Sequence, residues 1–163
     1  MDFIQGLPKT KTQHDSIMVI VDKLRKSAHF IPIKSNYKVV NIAKIFLKEI
    51  FRLHGVPKMV ISEWDVKFKS NFWKSLFARL ETKINFSTIY HPQTNGHTKH
   101  TNQIIEYMLR MYVMERPTKW GYYLHLVEFT YNNGYQVSYK MSPFDILYER
   151  KFTTPISWDS LVD

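Results

Sequence analysis

The 163-residue chain contains no cysteine, which removes disulfide frameworks and thiolate zinc sites from consideration. It has no 18-residue apolar run, so no helical membrane span is expected. Glycine is scarce at five residues, and there is no linker, repeat or low-complexity tract, so the length reads as one domain. The opening, MDFIQGLPKTKTQHD, has too short an apolar part for a signal peptide. Without a secretory signal, the sequon-like Asn85-Phe86-Ser87 carries little weight. Acid is also in short supply. Fourteen Asp and Glu face 23 Lys and Arg, a formal charge of +9. That balance favours a polyanionic partner, nucleic acid first and an anionic membrane surface second.

What is present is a foldable chain. Hydrophobic residues make up 44% and aromatics 15%, too much for a disordered segment. SIMVIVDKL (16–24) and SAHFIPI (27–33) read as a hairpin of buried strands, and MDFI (1–4) as the end of a strand whose earlier half is absent. Apolar positions at 39, 42, 43, 46, 47, 50 and 53 predict an amphipathic helix that His54-Gly55 and Pro57 stop. MVIS (59–62) and INFSTI (84–89) read as strands, with a helix NFWKSLFARL between them that Ser70 could cap. Two further helices follow, near 98–114 and over KWGYYLHLVEFTYNN, separated by Pro117. The order β-β-β-α-β-α-β-α-α predicts an α/β domain with helices against a mixed sheet. The core is assigned to 1–135, and 136–163, with Pro143 and Pro155, to an extended C-terminal tail.

The stretch YHPQTNGHTKHTNQ (90–103) is a polar loop feeding a helix start, a place suited to phosphate or metal. Asn95-Gly96 suits positive φ, and Thr98 or Thr101 could cap the helix. Yet its first turn carries Lys99 and His100 and no carboxylate. Candidate metal-binding acids elsewhere sit at strand ends: Asp2, Asp22, Glu63 and Asp65. Each alone reads as a solvated surface acid; joint position with the loop is what raises them. His91, His97 and His100 are candidate ligands, two of them three apart at a helix start, but a reading without metal is the stronger one. His29 and His54 read as structural, and the aromatics of FWKSLF and WGYYLHLVEF, at helical spacing, as core.

Five ordered blocks then carry a resemblance: MDFIQGLP, DSIMVIVDKLRKSAHFIP, LHGVPKMVISEWDVKFKSNFWKSL, FSTIYHPQTNGHTKHTNQIIEYMLR and WGYYLHLVEFTYNNGYQVSYKMSPFDILYERK. Together they resemble the integrase catalytic core of gypsy-type LTR retrotransposons. The resemblance implies a ribonuclease-H-like fold, a five-stranded mixed sheet flanked by helices, here with its first strand truncated. It implies a polynucleotidyl transferase site of two aspartates and a glutamate holding two Mg2+ or Mn2+ ions. Asp2 falls on the first acid position, Glu63 on the second, where the family has aspartate, and Lys99 on the third, where it has glutamate. The 35 residues between Glu63 and Lys99 keep the family spacing while the chemistry changes.

From these positions Asp2 and Glu63 would bind metal weakly or not at all, and the site would be catalytically defective. Glu106, two turns along the helix, and Asp65, beside Glu63, do not repair position 99. Tyr90, Gln93, Asn95, Lys99, Asn102 and Gln103 match the region that meets the DNA end in the family, so salt-dependent, non-specific DNA binding is implied. An intact integrase of this type would add an upstream zinc domain and a downstream DNA-binding region, so this chain resembles a fragment of a degenerate element. The nucleus is the implied compartment if integrase-like function is retained. The alternative is a non-catalytic module that binds protein or forms a homodimer through its helices.

Overall fold

In the computed structural model, the described residues are 1–63, 71–87, 96–114, 116–134 and 140–148. The β-branched run after residue 15 forms the centre of an antiparallel sheet, ordered β1 (Asp2–Ile4), β2 (Ser16–Val21) and β3 (Ala28–Ile33). Asp2 lies opposite Val19, and Ser16 opposite Ile33. A second pair, β4 (Met59–Glu63) and β5 (Lys83–Ser87), is parallel, with Glu63 opposite Ser87. Five strands and both pairing senses are therefore present, as a mixed sheet requires. The continuous five-stranded ladder is not, among the described residues. β1 reaches β4 where the Met1 α-amino group donates to the Ile61 carbonyl at 2.7 Å.

Alternation along β2 decides the layers. Ile17 and Val19 join one core with Phe30, Ile105, Leu109, Trp120, Leu124 and Val127; Met18 joins the other with Ile33, Ile42, Phe46, Trp73 and Phe77. Successive strand residues point to opposite faces, so the sheet is covered on both sides. A strand buried on both faces reads as an unbroken apolar run, which is what 16–21 shows. One cover is α1 (Val39–Phe46) with α3 (Asn71–Arg79), where Trp73 stacks on Phe77 at 4.9 Å between ring centroids. The other is α4 (Gly96–Val113) with α5 (Trp120–Asn133), the latter entered through a 3-10 turn at Pro117–Lys119.

The helix expected over 39–53 is one rod with a change of pitch. α1 passes into a π-helical stretch, Leu47–Phe51, and a last turn, α2 (Arg52–His54). Gly55 then ends it at φ 73°, a left-handed conformation that costs glycine little. At the other end of the chain, the segment read as an extended tail contains a helix, α6 (Pro143–Tyr148). The reason is a reciprocal cap: Ser142 N–H donates to Asp145 Oδ2 at 3.0 Å and Asp145 N–H to Ser142 Oγ at 3.1 Å. Pro143 takes the first helical position, where a missing N–H costs nothing. Phe144 seats α6 on α5 against Phe129, 5.7 Å between centroids.

Candidate functional site

Asp2 sits in the middle of the molecule because β1 is flanked by β2 and docks at β4. Its residue is 9% exposed. Oδ1 accepts the Phe3 N–H at 2.8 Å, and Oδ2 accepts the Asn102 side-chain amide at 2.7 Å. Asn102 is delivered by α4, which docks on the sheet through buried Thr101, Ile105 and Leu109, spaced four residues apart. Thr101 and Tyr131 share a hydroxyl–hydroxyl bond of 3.1 Å, and burial pushes the Tyr131 phenol up from its ordinary range.

Two neighbours of Asp2 carry the other mapped positions. Glu63 follows Ile61, the acceptor of the Met1 bond, by two strand steps, about 7 Å. Lys99 precedes Asn102 by three residues, one helical turn or about 5 Å, on the same side of α4. The elements bearing positions 2, 63 and 99 thus meet in one region. Here Glu63 and Lys99 are placed by their backbone.

Several sequence expectations change. Asn102, a candidate DNA contact, donates its amide to Asp2, and its Oδ1 is buried with no hydrogen-bond partner among the described residues. The helix begins at Gly96, so neither Thr98 nor Thr101 is its cap, and Thr101 lies inside against the core. Asp22 is no strand-end ligand: its Oδ1 accepts the N–H groups of Leu24 and Arg25 at 2.8 and 3.2 Å, shaping the β2–β3 turn. Of the WGYYLHLVEF aromatics, Trp120 is core, whereas Tyr122 is 71% exposed. Gln103 and His100 are exposed. Tyr90, Gln93, Asn95, Ser70, Asp65 and His91 lie outside the described residues.

His29 and His54 serve the fold. His29 Nδ1 lies 3.2 Å from Glu128 Oε1, and its Nε2 lies 2.7 Å from His54 Nε2. Burial, and then the neighbouring His29, hold His54 below its ordinary value. A group that sequence reasoning missed is Asn132, whose Oδ1 accepts the Ala28 N–H and whose amide donates to the Ala28 carbonyl, both at 2.8 Å. Its signal was weak: an asparagine at a helix end reads as a stop, not a clamp.

A sheet covered by helices, with an acid on its first strand beside a long helix, is an α/β architecture of the ribonuclease-H-like kind, the fold of integrase cores. No family model matches the chain. The Tf2-3 and Tf2-4 transposon polyproteins of Schizosaccharomyces pombe are each 32% identical over 148 residues, which is 91% of this chain. The chain spans about a tenth (11%) of the length of those polyproteins. Among solved structures, a simian T-cell lymphotropic virus intasome in complex with the PP2A regulatory subunit B56 gamma superposes with TM-score 0.74 at 17% identity, over 94% of this chain and 55% of that one. The HTLV-2 integrase catalytic core in complex with magnesium, in trimeric form, gives 0.68 at 17%, over 89% and 93%. The BIV integrase catalytic core gives 0.67 at 17%, over 91% and 93%. The chain is integrase-core-like, and it matches a segment of retrotransposon polyproteins.

Proposed function

We propose that this chain is a nucleic-acid-binding integrase-like core, spanning 1–135 with 136–163 attached, in which two-metal catalysis is disabled. The observation that carries the reading is the bond from Asn102 to Asp2, because it sets Lys99 one turn away on the same helix side. A two-metal phosphoryl-transfer centre requires carboxylates from several elements around two cations roughly 4 Å apart. The donor set does not fit that requirement. Asp2 already accepts bonds at both oxygens. A glutamate at 63 carries its carboxylate about 1 Å farther than an aspartate would, against a tolerance of roughly 0.5 Å. A protonated lysine at 99 has no lone pair to give. Its charge repels a cation: two unit charges 4 Å apart at an effective dielectric of 20 interact by about 4 kcal/mol, and a dication feels about twice that.

The same lysine suits phosphate. With the exposed Gln103 it is assigned to the nucleic-acid backbone rather than to bases, and Tyr90, Gln93 and Asn95 are assigned the same role from the sequence alone. DNA is the partner that the charge of +9 supports. Binding of a mixed-sequence duplex, followed by anisotropy between about 50 and 200 mM salt, tests this. A fall of several orders in affinity is expected if six or more phosphates are contacted. A flat salt profile, or no binding at low salt, refutes it.

A second reading, assembly through α4 and α5, is favoured by one surface. Tyr107, Met111, Tyr112, Met114, Tyr122 and Leu126 are exposed there, and Tyr112 stacks on Tyr123 at 5.8 Å. Apolar patches of this kind mark interaction sites. The HTLV-2 core is described in both trimeric and dimeric forms, and a homodimer through this patch is the corresponding proposal for this chain.

A further inference from the structure

Residues 4–8, at and just after the end of β1, face the second half of α4, and the two enclose a groove of about 540 Å³. Its floor is apolar. Ile4, Leu109 and Trp120 are buried there, with Leu7 and Val113 partly buried beside them. The walls are tied down: Trp120 Nε1 donates to the Pro8 carbonyl at 2.7 Å, and the Leu7 N–H to the Asp15 carbonyl at 3.0 Å. A groove of this volume, held in place without a ligand, is of the kind that receives small groups or single side chains.

Two opposite charges line the same groove, Glu106 and Arg110, four residues or about 6 Å apart along α4. That spacing suits an ion pair between them. Yet the ion pairs among the described residues are Arg25–Asp22, His29–Glu128 and Lys48–Glu49, so both charges remain available to a ligand. Glu106 lies two helical turns from Lys99, about 10 Å. A carboxylate beside an apolar floor disfavours a phosphate chain, which sets this groove apart from the candidate nucleic-acid face.

We propose that this groove binds the C-terminus of a partner protein whose last residue is large and apolar and whose third-last residue is basic. The apolar side chain enters beside Leu7, Leu109 and Val113, the terminal carboxylate meets the Arg110 guanidinium, and the basic side chain meets Glu106. Charge spacing selects this occupant. In an extended peptide alternate residues point to one side and lie about 6.6 Å apart, close to the roughly 6 Å between the two charges on α4. The guanidinium takes a carboxylate through two parallel N–H···O bonds, which a C-terminal amide cannot match. Capture of a terminal carboxylate is a recurring mode of peptide recognition; here a side chain supplies the donors that a backbone nest supplies elsewhere.

The test uses the full chain and the peptide fluorescein-Gly-Ser-Lys-Ser-Leu with a free carboxyl group, followed by anisotropy. Saturable binding is expected. Amidating the C-terminus, replacing the peptide's leucine by serine, or replacing its lysine by glutamate should each weaken binding about tenfold or more. A Glu106→Lys chain should prefer the glutamate form of the peptide to the lysine form, a reversal that loss of the fold cannot produce. Absence of saturable binding, equal binding of the acid and amide forms by the parent chain, or a Glu106→Lys chain without that reversal overturns the proposal. So does displacement of the peptide by a single-stranded oligonucleotide whose own binding falls with Arg110→Ala, since the groove would then belong to nucleic acid.

Discussion

The side-chain amide of Asn102 holds Asp2 Oδ2 at 2.7 Å, tying α4 to the strand that carries the buried acid. The carboxylate is thereby hydrogen-bonded within the fold at both oxygens. Among the described residues Asn102 Oδ1 is buried without a partner, and the acid is what orients the amide there.

Asn102→Ala should therefore destabilise the domain. A hydrogen bond to a charged group contributes about 1.5–3 kcal/mol, partly offset here by removal of the unpaired carbonyl. Urea unfolding of the parent and variant measures it. A midpoint that does not move would show that Asp2 has no need of Asn102.

Metal affinity should respond to the two altered acid positions in order. Lys99→Glu returns two units of negative charge and should raise Mg2+ or Mn2+ affinity at least about tenfold. Adding Glu63→Asp should raise it again, by correcting reach. Calorimetric titration of the parent, single and double variants gives the comparison. If the parent binds two ions as tightly as the double variant, the account of Lys99 is wrong.

Asn132→Ala should be among the more damaging polar substitutions. It strips partners from both the N–H and the carbonyl of buried Ala28, at about 1–3 kcal/mol for each group left unpaired. Asn132→Asp should also destabilise, because a second oxygen would face the Ala28 carbonyl. Thermal melts in which either variant matches the parent would contradict this clamp.

Stability should fall as acid is added. His54 is held below its ordinary value of 6.5 by burial first and by His29 next; His14 is held below it by burial and then Lys34. The unfolded chain therefore takes up protons first, so stability is fully present above about pH 6.5 and declines as pH falls below it. Asp15, lowered by the Ser35 hydroxyl and then the Ser35 N–H, adds a further loss below its ordinary 3.8. Urea midpoints at pH 7.5 and 5.5 should differ in that sense, and His54→Asn should flatten the slope. A higher midpoint at pH 5.5 would reverse the assignment.

Local pattern decided much of this protein in the sequence itself. The apolar run over 16–21, the 3.6-residue stripe over 39–53 and the Gly55 stop are near-neighbour properties; element order carried the α/β reading with a mixed sheet, and the resemblance of five sequence blocks carried the ribonuclease-H-like one. The SPFD cap of α6 is equally local, though Pro143 and Pro155 in the same segment suggest extension. Other features needed the third dimension. That Asn102 faces inward while Gln103 faces solvent depends on which side of α4 meets β1, 100 residues away in sequence from Asn102. The clamp of Asn132 on Ala28 likewise joins residues 104 apart. Such choices are made by long-range packing, whose free energy is realised only when the whole core closes, so no short window of sequence contains them.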